Sequence, residues 1–240
     1  MEACMIRLDK YLADMGIGTR QEVKKYIRQG RVSAGGATLK KPELKVDEAK
    51  ECIAFDGQEI RYAAYEYYMM NKPAGVVSAT RDGRDRTVLD LIESRKRKGL
   101  FPAGRLDKDT EGLLLITNDG ALAHRLLSPE KHVDKVYYAK VRGIVTDEDV
   151  RRFLEGVDIG AGEEEERTRP AKLEIIESGS VSTVRLTIQE GKFHQVKRMF
   201  ACTGKEVLYL KRERMGSLVL DASLNPGEYR RLTEEEIRGL

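Results

Sequence analysis

An unbroken apolar run, Leu113–Ile116, is closed by Gly112 on one side and by Asn118-Asp119-Gly120 on the other. So short a run between turn residues predicts a buried strand rather than a helix. Elsewhere the apolar positions step at helical spacing. Leu8, Tyr11, Leu12 and Met15 predict a helix that stops at Gly16. A second helix starts at Thr19, where Thr19 and Glu22 form a capping box, and ends at Gly30. Thr87 is expected to cap a helix with Val88, Leu91 and Ile92 inward and Arg95-Lys96-Arg97-Lys98 at its end. Asp119 is expected to cap another that runs through Leu127, and Thr146 with Asp149 a third over 146–155. Strands are expected at Tyr65–Met70, Val136–Val141, 171–177 and 182–189. Phe193, Val196, Phe200 and Ala201 hold helical spacing toward a core. Gln58–Ala64 reads as a linker between a domain over 1–60 and a larger one over 61–240.

Charge sharpens this picture through its distribution. The 240 residues carry 43 Lys and Arg against 40 Asp and Glu, a formal +3 that says little alone. Nine basic and three acidic residues, however, lie between Arg7 and Lys41, and seven against two between Gly191 and Arg214. Acid collects instead at Glu163–Glu166 and Glu234–Glu236, with Gly160–Arg169 expected to be a mobile acidic loop. Two basic zones on a nearly neutral chain point to a polyanion bound along a path. At about 100° per residue Arg20, Lys24, Arg28 and Arg31 fall within a quarter turn of one another, beside Val23 and Ile27. A basic helix face of this kind is solvated unless a partner covers it. The basic end at Arg95–Lys98 also has two readings, since cations there complement the helix dipole without any RNA.

Charged residues at 35% and hydrophobic ones at 40% exclude disordered and membrane classes. Cys4, Cys52 and Cys202 are scattered and odd in number, so neither a disulfide framework nor zinc spacing follows. No apolar leader pattern opens the sequence, and no segment approaches about eighteen apolar residues. A reducing cytoplasm, no membrane contact and a monomer are the expectations, the last because no long apolar stripe is left for an interface.

The loop before the apolar run carries the candidate chemistry. Gly104-Arg105-Leu106-Asp107-Lys108-Asp109-Thr110-Glu111-Gly112 places two carboxylates and an arginine where a core strand begins. Loops anchored to core elements are where reactive groups are both exposed and fixed. Taken with Leu113–Gly120, the stretch resembles the signature of RNA pseudouridine synthases of the RsuA/RluA kind. Asn71-Lys72-Pro73-Ala74-Gly75-Val76-Val77-Ser78 resembles that family's first motif, and Lys135-Val136-Tyr137 its tyrosine motif. Gly191-Lys192-Phe193-His194-Gln195-Val196-Lys197-Arg198-Met199-Phe200 resembles its third, in the wording of the RsuA branch. Residues Arg7 to Glu59 resemble an S-four-type RNA-binding domain, a short helix and a basic helix with a small sheet.

These resemblances imply an α+β protein. A small N-terminal α/β RNA-binding domain precedes a mixed, mainly antiparallel-sheet synthase domain with flanking helices. They imply an enzyme that isomerises uridine to pseudouridine in ribosomal RNA. The wording of the third motif favours the small subunit, with the large subunit or a non-catalytic assembly role as alternatives. The reaction breaks the bond from ribose to a uracil nitrogen and rejoins the base through carbon, so no cofactor or metal is expected. Asp107 is implied as the nucleophile, needing a cation to hold it charged. Lys197 is the first candidate for that cation and Arg198 the second. Tyr137, by itself an ordinary core tyrosine of a strand, is implied to stack on the uracil. Arg105 is implied to fill the stack that the flipped base leaves. Lys192, Arg198, Arg20, Lys24, Arg28 and Arg31 are the expected RNA contacts. Lys72 and Pro73 are expected to support the site, and Asp109 to bond the amides of its own loop.

Overall fold

A computed structural model describes residues 5–47, 51–60, 62, 65–93, 99–128, 131–160 and 165–240. The chain forms two compact units, Met1–Glu66 with Glu93–Gly99, and Tyr67–Ile92 with Leu100–Leu240.

In the first unit, strand β1 (Met5–Arg7) leads into helices α1 (Leu8–Asp14) and α2 (Arg20–Arg28). Strands β2 (Val32–Ala34), β3 (Ala37–Thr38), β4 (Lys45–Asp47), β5 (Ile53–Phe55) and β6 (Gln58–Ile60) follow. β3, β2, β5 and β6 make a four-stranded antiparallel sheet, and β1 pairs with β4. The Thr19–Glu22 capping box is present, and Gly30, with φ 78°, turns the chain after α2. Leu8, Tyr11, Leu12, Val23 and Ile27 are fully buried, as the helical spacing predicts. Gln58–Ile60 is no linker. It pairs with β5, Ile60 is buried, and its carbonyl accepts from the Tyr11 hydroxyl at 2.7 Å.

The second unit begins with β7 (Tyr67–Lys72), a single 3₁₀ turn (Val88–Leu91), β8 (Phe101–Ala103), β9 (Glu111–Thr117) and α3 (Gly120–Leu127). It continues with β10 (Lys135–Arg142), α4 (Asp147–Glu155), β11 (Lys172–Glu177), β12 (Val181–Ile188) and α5 (Gln195–Ala201). β13 (Glu206–Met215), β14 (Leu218–Val219), β15 (Tyr229–Arg231) and α6 (Glu234–Arg238) complete it. Its nine-stranded sheet has the order β11-β12-β10-β13-β9-β7-β15, with β8 on β9 and β14 on β13. Only β9 and β13 run parallel among these pairs.

Leu113–Ile116 is the buried strand that its pattern predicts, each side chain fully covered. Each such burial stabilises the fold by about 1.5–3 kcal/mol. Leu114 and Ile116 face one core and Leu113 and Leu115 another, so the sheet is covered on both sides here. Gly112, at φ 101°, permits the parallel contact: a Cβ there would lie 2.3 Å from the Arg212 carbonyl oxygen. Several expectations need correction. The Thr87 helix is one turn long, because Ile92 is already extended; its expected basic end at Arg95–Lys98 lies outside the described residues. β7 runs on through Asn71 and Lys72, so the turn starts at Pro73. Ala201 is exposed, and Phe193, placed on the core side by its spacing, precedes α5 and is 72% exposed.

Candidate active site

The loop from Leu106 to Thr110 is held by long-range bonds that only the folded sheet supplies. Lys72, at the end of β7 and fully buried, donates from Nζ to the carbonyls of Asp107 (3.0 Å), Lys108 (3.3 Å) and Thr110 (2.8 Å). It also donates to Pro73 O at 3.0 Å. An ammonium has three hydrogens and no acceptor, so it suits a cage of carbonyls. Burial pushes the Lys72 ammonium down to about 8, while the Asp109 and Asp107 carboxylates act to raise it. The Gly75 amide donates to Lys108 O at 2.7 Å. Ser78 Oγ donates to Leu106 O at 2.9 Å and accepts from Leu106 N at 3.1 Å. The expected support role of the Asn-Lys-Pro segment thus has an atomic form, a clamp on the backbone of the Asp107 loop.

The Asp107 side chain, 28% exposed, lies 3.4 Å (Oδ2) from Lys197 Nζ and 3.7 Å (Oδ1) from His194 Nε2. Lys197 projects from the first turn of α5 and makes its shortest contact with Asp109 Oδ1, at 2.6 Å. The main partner of Asp109 is therefore Lys197 rather than the amides of its loop. Burial acts to raise the Asp109 carboxyl, but the Lys197 hydrogen bond and charge outweigh it and hold it below the usual range. Lys197 bridges the two carboxylates and leaves one oxygen of Asp107 on its longer, weaker side.

Arg198 is not a partner of Asp107. One residue further along the helix, it is turned about 100° away. Its guanidinium donates to Ile159 O, to Phe193 O at 3.1 Å and to Glu166 at 2.5 Å. Lys192 turns the same way, donating to Arg167 O at 3.0 Å with Glu166 at 3.5 Å. These bonds pin one end of the acidic loop, as does the Val157 amide on buried Thr168 at 3.0 Å. The loop is thus not freely mobile at Glu166–Thr168; residues 161–164 lie outside those described.

A cavity of about 840 Å³ opens in front of Asp107. Its walls include Arg105, Leu106, Tyr137, Ile188, Phe193, His194 and Leu210. Tyr137 sits on β10 between Leu186 of β12 and Arg212 of β13, 7% exposed, and its hydroxyl has no hydrogen-bond partner among the described residues. Arg105 is exposed and likewise lacks a partner among them. Asp107, Tyr137 and Arg105 thus lie around one space, from segments far apart in sequence, and Lys197 meets it through Asp107. His194 and Phe193 belong to it too, although the helical spacing puts Phe193 toward the core and singles out no role for His194. The sequence signals only an aromatic pair next to the basic cluster; that the pair lies ahead of the helix follows from the left-handed His194. No group of three or more His, Cys, Asp or Glu among the described residues could hold a metal ion.

The expected basic stripe of the first unit is altered by its own partners. Arg20 Nη2 lies 3.0 Å and Lys24 Nζ 3.9 Å from buried Asp9, which also takes two bonds from Arg7. Arg31 lies beyond the end of α2, so it is not on that face. It pairs with Asp56 and stacks over Tyr26 and Phe55 at 4.5 and 4.6 Å. Arg28 is exposed and has no partner among the described residues.

Comparison with known proteins gives this geometry a family. Residues 66–202 match the RNA pseudouridylate synthase family, and residues 6–52 match the S4 domain. The chain is 50% identical to an uncharacterized RNA pseudouridine synthase, YtzG, of Bacillus subtilis, over 97% of both chains. It is 42% identical to ribosomal small subunit pseudouridine synthase A of Vibrio cholerae, over 98% of this chain and 99% of that one. The Escherichia coli protein of the same name is also 42% identical, over 97% and 98%. A crystal structure of a pseudouridylate synthase superposes with a TM-score of 0.68 at 38% identity, covering 98% and 99%. No helix among the described residues is long and apolar enough to cross a membrane. The chain belongs to the RNA pseudouridine synthases of the RsuA type, enzymes that here carry an RNA-binding S4 domain at the N-terminal end.

Proposed function

We propose that this chain isomerises one uridine of small-subunit ribosomal RNA, with Asp107 as the attacking carboxylate. The observation that carries the catalytic assignment is the position of Asp107, on a clamped loop, at a cavity wall, 3.4 Å from Lys197. The choice of RNA is supported by 42% identity, over nearly the whole length, to enzymes named for the small subunit.

In this reading the uridine leaves its stack, which costs a few kcal/mol, and enters the cavity. Tyr137 stacks on the uracil and Arg105 occupies the vacated place in the RNA. Asp107 then attacks as a carboxylate nucleophile, and the bond between C1′ and N1 breaks. The base turns, C5 bonds to C1′ as the bond from Asp107 to the sugar breaks and frees the carboxylate, C5 loses a proton and N1 gains one, so composition is unchanged. Lys197 supplies a positive charge 3.4 Å from Asp107 beside the cavity. Asp109 holds Lys197 in place. The S4 domain contributes phosphate contacts that set register, through Arg28 and the outer faces of Arg20, Lys24 and Arg31. Lys192 and Arg198 serve RNA contact indirectly, by fixing the loop at Glu166.

The test maps pseudouridines in ribosomal RNA from cells with and without the protein. One small-subunit pseudouridine that disappears, and returns on adding the protein but not Asp107→Asn, is expected. Loss confined to the large subunit overturns the assignment of the RNA; no loss in either overturns ribosomal RNA as the substrate.

A further inference from the structure

The segment Glu190–Gln195 is tied down at nearly every point. The Gln195 side chain, buried, accepts from Lys192 N at 2.9 Å and donates to Glu190 Oε1 at 2.8 Å. Glu190 Oε1 also accepts from Arg169 N at 2.8 Å. Gln195 N donates to Lys192 O at 3.2 Å, and Arg198 Nη1 to Phe193 O at 3.1 Å. Within this turn His194 has φ 46° and ψ 34°, a left-handed conformation uncommon in residues other than glycine. Strain of this kind persists only where the surroundings impose it, and it gathers at functional sites.

The consequence of the strained turn is to place Phe193 outward. The residue is 72% exposed, the most exposed of the large hydrophobics among the described residues. One face lies on the His194 imidazole, with centroids 3.9 Å apart and planes 19° from parallel. Both rings border the cavity, and the His194 imidazole reaches to 3.7 Å from Asp107. A rigid aromatic step, one face backed and one face open, therefore stands beside the reacting carboxylate. An apolar ring left in water on an immobile loop has a ready use in a protein that binds RNA. Unpaired bases stack on aromatic faces, whatever their identity.

We propose that Phe193 is the stacking platform for an unpaired base of the substrate RNA next to the uridine in the cavity, with His194 as the positioning residue that backs it. The inference rests on the proposed reaction at Asp107 and adds a second base site to it. It assigns to Phe193 a share of RNA recognition, and none of bond breaking.

The experiment uses the full chain and the ribosomal RNA that the wild-type protein modifies, so wild-type turnover checks the underlying reading separately. Phe193→Ala is expected to raise KM about tenfold, in the range of stacking losses on alanine substitution, with kcat within twofold and the melting temperature unchanged. Phe193→Tyr should stay near wild type. Phe193→Leu, which keeps bulk but no ring, should behave like Phe193→Ala. Placing 2-aminopurine beside the target uridine adds a direct readout, a fluorescence quench on binding that is lost in Phe193→Ala. Normal wild-type turnover with an unchanged KM in Phe193→Ala, or with Leu as good as Tyr, overturns the platform. A fall in kcat alone would instead move Phe193 into the chemical step and equally overturn it.

Discussion

Two aspartates in this chain stand among cations, and they differ in what is left open. Asp9 is wholly buried and takes Arg7, Arg20 and Lys24 at 3.0–3.9 Å. Burial acts to raise its carboxyl, yet the bonds from Arg7 and Arg20 hold it below the usual range. The side chain of Asp9 has no exposed surface, and its position in the first turn of α1 adds helix-dipole support. Asp107 has longer contacts to Lys197 and His194, is partly exposed and borders a cavity. A saturated carboxylate is a tie between segments; an under-coordinated one on a fixed backbone is available for bonding to substrate. The difference comes from the backbone, since Asp107 is held through its carbonyl by Lys72 and needs no side-chain bond to stay in place.

The strongest way to break this comparison is to remove the clamp. Lys72→Met removes the ammonium from four carbonyls; Asp107 O and Lys108 O keep the Thr110 and Gly75 amides, so the cost falls mainly on Pro73 O and buried Thr110 O, at about 1–3 kcal/mol for each left unpaired. A stability loss of about 3 kcal/mol is expected, after relief of the buried charge is counted, with activity falling by about 100-fold or more. Denaturant unfolding together with single-turnover assays checks both. Unchanged activity in a protein that is merely less stable would show that the loop does not need Lys72.

Lys197→Met comes next. It should lower the single-turnover rate about 100-fold, as loss of an electrostatic stabiliser does, while RNA affinity stays within about threefold. Lys197→Arg should recover part of the rate. A binding defect rescued by saturating RNA would make Lys197 a phosphate contact instead.

Much of the fold was legible because it rests on local signals. Leu113–Ile116, the capping boxes at Thr19 and Thr146, and the Asp119 cap, which accepts from Leu122 N at 2.9 Å, all stand where spacing and caps put them. What the sequence hid is non-local. The gap between Lys72 and its carbonyls is closed by β7 pairing with β9, and no period in the sequence records it. Phe193 fits a helical repeat with Val196 and Phe200, but the left-handed His194 interrupts the helix before the ring can turn inward. Arg31 fits the basic stripe by angle, yet Gly30 ends the helix first. The residues at the cavity were legible through the family's motifs rather than through physics, which cannot tell one loop aspartate from another without the sheet behind it.

Asp9→Asn sharpens the contrast from the other side. It should cost the first unit about 2 kcal/mol, tempered by the solvent around its partly exposed cations, and leave the single-turnover rate at saturating RNA unchanged. Because the folded carboxyl is lowered, its contribution is present above the unfolded value of about 3.9 and is lost as pH falls through the folded value. Melting temperatures against pH should show wild type and Asp9→Asn converging in acid.

The smallest effect concerns pH at the clamp. Lys72 titrates near 8 when folded and near 10.5 in its ordinary state. The unfolded chain therefore binds more protons between those values, and this group's contribution to stability rises with pH across that window. A neutral amine has only two hydrogens for the carbonyl cage, so turnover should decline several-fold above about pH 8 with no loss of stability from Lys72. A decline that tracks global unfolding would assign the basic limb elsewhere.

The most direct measurement of the division between the two carboxylates at Lys197 is single-turnover pseudouridine formation, at saturating enzyme, by Asp107→Asn and Asp109→Asn. Asp107→Asn should lose about 10³-fold or more while binding RNA and unfolding like wild type. Asp109→Asn should keep a measurable rate, lowered about tenfold through a less firmly held Lys197. Residual turnover by Asp107→Asn above a tenth of the wild-type rate, or an inert but folded Asp109→Asn, would contradict the account.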